Sequence, residues 1–242
     1  MSEFPETRWQ ALQDSLASVA QEFPNAVVAS SLAAEDMVLT HALSELGFPL
    51  AMLTLDTGML PAPTLALLET VRQHYGCAIE VWRPEEQALQ HYVAEHGAYA
   101  FYESVALRKS CCQIRKVEPL RRALQGRGAW VTGQRRGQGV TREDLPLSEF
   151  DTAFGLQKFN PLAEWSHDEV WQLIRHFEIP YNTLHDQGYP SIGCDPCTRA
   201  VKPGEDLRAG RWWWESSDSK ECGLHGANLQ RNTVEQETQN HG

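Results

Sequence analysis

Two cysteine pairs, Cys111-Cys112 and Cys194-x-x-Cys197, carry the plainest chemical signal in this chain. A C-x-x-C pair can turn two thiolates toward one metal, and four thiolates suit either a tetrahedral zinc or a 4Fe–4S cluster. Spacing alone leaves both open and leans to zinc, the commoner site. Neighbouring cysteines diverge unless the backbone kinks, and the two pairs are far apart in sequence, so the fold must bring them together. A fifth cysteine, Cys222, sits in Lys220-Glu-Cys-Gly-Leu-His225. Nearby cations favour a thiolate there, so a mobile nucleophile and an inert exposed thiol are equally open readings. Cys77, at the head of a strand, reads as a small buried hydrophobe.

A second signal is charge. The chain carries a net charge of −11, which speaks against general nucleic-acid binding, yet ten of its 21 Lys and Arg fall between Arg108 and Arg142. One acid, Glu118, lies among them. A basic patch in an acidic protein implies a confined anionic ligand. Arg121, Arg122 and Arg127 read as a solvated helix face.

The elements that must position these groups alternate. Residues 1–24 suit an amphipathic helix. Strands are expected at Ala26–Ala29, Leu50–Leu55, Ala78–Val81 and Trp130–Thr132, with helices between them ending at Gly47 and Gly76 and a further helix over 85–96. Residues 143–164 read as irregular. Ser166-His-Asp-Glu169 is a capping box for a helix that stops before Pro180. Such alternation implies an α/β fold with a mostly parallel sheet covered by helices on both faces. Ligands of such sheets lie beyond the carboxyl ends of the strands. The turns there are Ser30–Asp36, Asp56–Gly58 and Gly133–Arg142. Small residues in the first let backbone N–H groups approach a phosphate, although its Gly-Lys-Ser/Thr ending is missing. Residues 1–215 are expected to form a single domain and 216–242 a flexible tail carrying Cys222. No apolar run reaches the roughly 18 residues a membrane span needs. A cytoplasmic, reducing location is expected, where cysteines at motif spacing serve metals or catalysis.

Arg108-Lys-Ser-Cys-Cys-Gln-Ile-Arg-Lys-Val-Glu-Pro-Leu120, Ser191-Ile-Gly-Cys-Asp-Pro-Cys-Thr-Arg199, Gly210-Arg-Trp-Trp-Trp-Glu215 and Lys220-Glu-Cys-Gly-Leu-His225 together resemble the assimilatory adenylylsulfate reductases. The resemblance runs from about Val27 to His225. It implies the adenine nucleotide α-hydrolase-like fold of ATP pyrophosphatases. It also implies conversion of adenosine 5′-phosphosulfate to sulfite and AMP, with thioredoxin as reductant, within sulfate assimilation and cysteine biosynthesis. The relatives that use the 3′-phosphorylated substrate usually lack the two cysteine pairs, so the resemblance replaces zinc with a 4Fe–4S cluster.

Residue by residue, the resemblance makes Cys111, Cys112, Cys194 and Cys197 the cluster ligands and Cys222 the nucleophile, with His225 beside it. Lys116 matches a lysine between cluster and substrate. Arg208 and Arg211 match arginines that hold the phosphosulfate, and Arg142 does so with Arg136 as its rival. Ser30, Ser31, Leu55, Asp56 and Gly133 are expected to line the nucleotide site. No nucleic acid or membrane partner is implied, and a homo-oligomer is left open. Three rival readings are the same chemistry on 3′-phosphoadenosine 5′-phosphosulfate, an ATP-pyrophosphatase-type tRNA thiolation enzyme, and a zinc-bound interaction module. The second expects an S-G-G-x-D-S turn where this chain has Ser30-Ser-Leu-Ala-Ala-Glu-Asp36. The third leaves Cys222 and the basic stretch unexplained. The roles of Trp212, Trp213 and Trp214 stay open.

Overall fold

The computed structural model describes residues 5–47, 50–139, 142–216 and 224. Six strands make one sheet: β1 (Val27–Ala29), β2 (Ala51–Leu55), β3 (Ile79–Trp82), β4 (Ala129–Thr132), β5 (Ser148–Asp151) and β6 (Leu156–Phe159). Their order is β3-β2-β1-β4-β6-β5, and every neighbouring pair is parallel except β5 with β6. The chain lays β1 to β3 outward in one direction and then returns to place β4 on the other side of β1. The loops leaving β1 and β4 therefore part, and the crevice between them is where such a sheet takes a ligand.

Seven α-helices accompany the sheet among the described residues: α1 (Glu6–Glu22), α2 (Ala34–Leu46), α3 (Ala62–Tyr75), α4 (Glu86–His96), α5 (Val105–Cys112), α6 (Glu118–Leu124) and α7 (His167–His176). Strand side chains alternate between faces. Val28, Met52 and Val131 pack with Leu12 and Leu16 of α1, Val38 and Leu39 of α2, Val71 of α3 and Leu173 of α7. Val27, Leu53 and Trp130 point the other way, into Leu120, Ala123 and Leu124 of α6. Both faces are covered, as the runs of apolar residues in β1 and β4 require.

Gly47 and Gly76 take left-handed conformations, each with φ of 61°, and end α2 and α3 where the sequence places the stops. The Ser166 hydroxyl accepts from the Glu169 N–H at 3.2 Å while the Glu169 carboxylate accepts from the Ser166 N–H at 2.7 Å, so the capping box is formed. No helix among the described residues is long and apolar enough to cross a membrane.

Residues 143–164 are not wholly irregular: they contain the β5–β6 hairpin. Two features disguise it. Strand β5 lies at the sheet edge with Phe150 61% exposed, and the inward-facing Lys158 of β6 is fully buried. Lys158 pairs with Glu149 at 3.2 Å and sits 5.5 Å from the Trp130 ring, so a cation occupies a position where alternation expects an apolar residue. Leu224, described within the 216–242 stretch, packs against the Val27–Leu53–Trp130 cluster.

Candidate functional site

A cavity of about 220 Å³ opens at the reversal between β1 and β4. Ser30, Ser31, Glu35 and Asp36 wall it after β1, Leu55 and Thr57 after β2, and Gly133, Gln134, Gln138 and Arg142 after β4. Lys116, on the turn that precedes α6, and Arg208, Arg211, Trp212 and Leu224 complete the wall.

The turn after β1 is held from within. Leu32 has a positive φ of 60°, which a β-substituted residue adopts only under constraint. Ser30 Oγ accepts from the Leu32 N–H at 3.2 Å, and Asp36 accepts from the Ser31 N–H at 2.6 Å and from its hydroxyl at 2.7 Å. Burial pushes the Asp36 carboxyl up to about 6, against the opposing pull of the Ser31 bonds. Gly133 passes so close to Asp36 and Glu35 that a Cβ has no room. Glu35 is matched by Arg135 at 2.7 Å, with both side chains almost wholly out of water.

The cations divide. Arg142, Arg208, Arg211 and Lys116 line the cavity. Arg211 lies 4.7 Å from the Trp212 ring and donates to the Ile192 carbonyl at 3.2 Å. Arg136 points elsewhere, to the Leu145 carbonyl at 2.9 Å and Glu164 at 3.1 Å, so of the two rivals it is Arg142 that reaches the cavity. Arg122 of α6 pairs with Glu118, and Arg127, which follows the end of α6 and so is not on the expected helix face, pairs with Glu80; both side chains are partly buried. Asp56 is not among the cavity-lining residues. Its carboxylate accepts from the Gly58 N–H at 3.0 Å and from Arg83 at 2.9 Å, which fixes the turn that presents Leu55 and Thr57.

The four paired cysteines meet. Cys111 and Cys112 end α5, while Cys194 precedes and Cys197 ends a 3₁₀ turn, Asp195–Cys197. All four line one small second cavity with Met59, Phe101, Arg108, Arg115, Lys116 and Trp212. Directly after Cys112 the helix widens into a π-helical turn, Gln113–Val117. The pair itself keeps α-helical backbone, with Cys112 at φ −64° and ψ −37°, so the expected kink is not between the two cysteines; the irregular turn begins one residue later, and such turns gather at functional sites. The Asp195 N–H donates to the Met59 carbonyl at 2.7 Å, and Thr57 Oγ1 lies 3.2 Å from Cys194 Sγ, so the β2 turn touches both cavities. Burial pushes the Cys197 thiol up to about 12, with Cys194 adding to it, and raises Cys111 against the pull of Arg115.

Among the described residues no three His, Cys, Asp or Glu side chains form a ready cage for a single ion. What the structure offers is a small pocket walled by four soft thiol donors and three cations. That donor set fits an iron–sulfur cluster held by four thiolates, whose negative charge Arg115 and Lys116 would offset, Arg108 being matched by Glu215.

Lys116 and Trp212 line both cavities, so the two share a wall. Trp212 is 1% exposed, whereas Trp213 is 41% exposed and Trp214 packs on Tyr102 at 4.5 Å. Cys222 and His225 lie outside the described residues. Leu224, between them in sequence, lines the main cavity. Cys77 is only partly buried, packed against the main core. Sequence reasoning named the turns that hold Thr57 and Gln134 without singling out either residue, and left the role of Trp212 open. For Thr57 and Gln134 the signal was present, since each adjoins an expected site residue at the end of a parallel strand.

A family model described as the phosphoadenosine phosphosulfate reductase domain matches residues 25–200. A Burkholderia cepacia protein named adenosine 5′-phosphosulfate reductase is 59% identical over 210 residues, which cover 87% of this chain and 84% of that relative. Among solved structures, the phosphoadenylyl-sulfate reductase of Candida auris, in a phosphate complex, superimposes with a TM-score of 0.67 at 25% identity, over 83% of this chain and 99% of that one. Candida glabrata FMN adenylyltransferase, with FMN and an ATP analogue, gives a TM-score of 0.59 at 15% identity, over 88% of this chain and 76% of that one, a likeness of fold alone. The fold is adenine nucleotide α-hydrolase-like, as the sequence resemblance implied.

Proposed function

This chain belongs to the phosphoadenosine phosphosulfate reductase family, and we propose that within it the protein reduces adenosine 5′-phosphosulfate to sulfite and AMP with thioredoxin as the electron donor. The observation that carries this reading is the shared wall: Lys116 and Trp212 border both the cavity at the β1–β4 reversal and the four-cysteine pocket. The unphosphorylated substrate is favoured by the name of the Burkholderia cepacia relative. The setting is the reducing cytoplasm, in sulfate assimilation toward cysteine.

The Cys222 thiolate attacks the sulfonyl sulfur. A sulfur–sulfur bond forms, the sulfur–oxygen bond to AMP breaks, and AMP leaves with the electron pair. Leu224, two residues from Cys222, borders the cavity, which supports delivery of that thiol to it. Arg142, Arg208, Arg211 and Lys116 would offset the phosphosulfate charge, which otherwise repels a thiolate, and would favour charge moving onto the departing phosphate. His225 would assist the thiolate. A thioredoxin thiolate then attacks Cys222 sulfur, sulfite leaves, and the second thioredoxin thiol resolves the mixed disulfide. Cys111, Cys112, Cys194 and Cys197 would hold a 4Fe–4S cluster, which when bound supplies fixed charge beside Lys116 and ties α5 to the 194–197 turn.

The test is a stalled turnover. With substrate and no thioredoxin, the protein is expected to gain the mass of one sulfonate, and Cys222→Ser is expected not to. A gain that persists in the Ser variant would remove Cys222 from the role. Metal analysis of anaerobically purified protein is expected to give iron and sulfide; stoichiometric zinc alone would refute the cluster. A higher kcat/KM for the 3′-phosphorylated nucleotide would reverse the substrate assignment.

A further inference from the structure

Gln134 follows Gly133 on the turn after β4, lines the main cavity and is 4% exposed. Its side-chain Nε2 and Oε1 are both out of water, and no hydrogen-bond partner meets either among the described residues. Its neighbours are satisfied. Thr132 Oγ1 donates to Asn160 at 2.6 Å, and Arg135 is matched by Glu35. A buried amide with neither end paired is destabilising, and native folds keep few of them. On a ligand-cavity wall, such a group is retained for what it binds.

The amide's two ends decide which part of a ligand it can read. Nε2 donates and Oε1 accepts. An ionised phosphosulfate offers acceptors only and would leave Oε1 unpaired. A group that satisfies both ends presents a donor and an acceptor side by side. In an adenine nucleotide this is the ribose diol or the aminopurine edge, the latter being the pairing that glutamine makes with adenine. We propose that Gln134 is a specificity-determining residue that reads the neutral nucleoside part of the ligand through one donor–acceptor pair. This rests on the reading that an adenine nucleotide occupies the cavity.

The experiment is calorimetric titration of the full chain with AMP, 2′-deoxy-AMP, 3′-deoxy-AMP and purine riboside 5′-monophosphate, which lacks the amino group. Gln134→Leu removes both ends at similar volume. It is expected to weaken AMP by about tenfold or more and to melt at the same or a higher temperature without nucleotide, since it relieves an unpaired buried amide. Gln134→Glu keeps the acceptor and size but loses the donor, and is also expected to bind AMP more weakly, which covers a Leu variant that fails to fold. The analogue lacking the paired group is expected to bind wild type weakly and to lose little more in Gln134→Leu; its identity separates ribose from base. Unchanged AMP binding in both variants overturns the proposal, as do losses that simply add for every analogue. If wild type fails to bind AMP at all, this proposal and the proposed function fall together. If wild type binds and the variants match it, this proposal falls alone.

Discussion

The Arg108 guanidinium and the Glu215 carboxylate meet at 2.6 Å with 0% and 2% of their side chains exposed. Two hydrogen bonds join them, at 2.8 and 2.6 Å. Arg108 lies three residues before Cys111 on α5, and Glu215 follows the three tryptophans. The Trp212 ring has Arg108 and Arg211 each 4.7 Å from its centre. One buried ion pair therefore ties the cysteine pocket, the shared wall and a cavity-lining arginine to the start of the segment that bears Cys222.

Removing one partner of a buried pair strands the other's charge. Glu215→Gln is expected to destabilise the fold by about 3–5 kcal/mol, whereas replacing both residues, as Arg108→Met with Glu215→Leu, should recover much of that loss. Urea unfolding of the three variants checks it. Equal stability of the single variant and wild type would mean that the pair is not holding this corner.

Gly193 tests the placement of Arg211. A Cβ there would lie inside the space of the Arg211 guanidinium. Gly193→Ala should therefore push Arg211 off its seat over Trp212. A charged hydrogen bond is worth about 1.5–3 kcal/mol, so AMP affinity should fall about tenfold or more. Adenosine, which lacks the phosphate, should lose far less. Equal losses for both ligands would show that the substitution acts on the fold and not on Arg211.

How much of this was legible beforehand follows from where physical signals are local. The alternation of strands and helices, the glycine stops at Gly47 and Gly76 and the Ser166–Glu169 box are encoded within a few residues, and each is found. The cysteine spacing identified the thiols, but only the packing of α5 against the 194–197 turn brings them into one pocket. The β5–β6 hairpin was hidden because buried Lys158 breaks the apolar pattern. Asp56 stands between two cavity-lining residues, Leu55 and Thr57, while its own side chain is taken by Arg83, a partner 27 positions away that no local pattern announces. Arg108 shows the same limit. Its place in a basic stretch suggested an anionic ligand, and its actual anion is Glu215, 107 positions away.

Lys116 borders both cavities, so its charge should act on the nucleotide and on the cysteine pocket alike. Lys116→Ala is expected to weaken AMP by about tenfold while leaving adenosine nearly unchanged, and Lys116→Arg should restore part of the AMP affinity. A second readout is the optical spectrum of the anaerobically purified protein. With the proposed 4Fe–4S cluster bound, AMP should perturb its absorption in wild type and do so less in Lys116→Ala. The same perturbation in both would place the coupling between the cavities elsewhere.

Asp36 gives the pH dependence its sign. Its carboxyl is raised from 3.8 to about 6, mainly by burial. An acid raised in this way holds its proton more tightly in the folded chain than in the unfolded one, so ionising it opposes folding. The penalty is absent below about pH 4, grows between about pH 4 and pH 6, and is complete above that. Asp36→Asn keeps an oxygen to accept from the Ser31 N–H and hydroxyl but cannot ionise. The stability of the variant relative to wild type should therefore climb through that window and then level off. Each unit of displacement is worth about 1.4 kcal/mol, so the full swing is of the order of a few kcal/mol. The weaker bonds that a neutral amide accepts from Ser31 lower the whole curve without flattening it. Urea unfolding of both proteins at a series of pH values measures the difference directly. A difference constant from about pH 4 to pH 7 would mean that Asp36 titrates as an ordinary carboxylate, and that the turn after β1 carries its buried charge without strain.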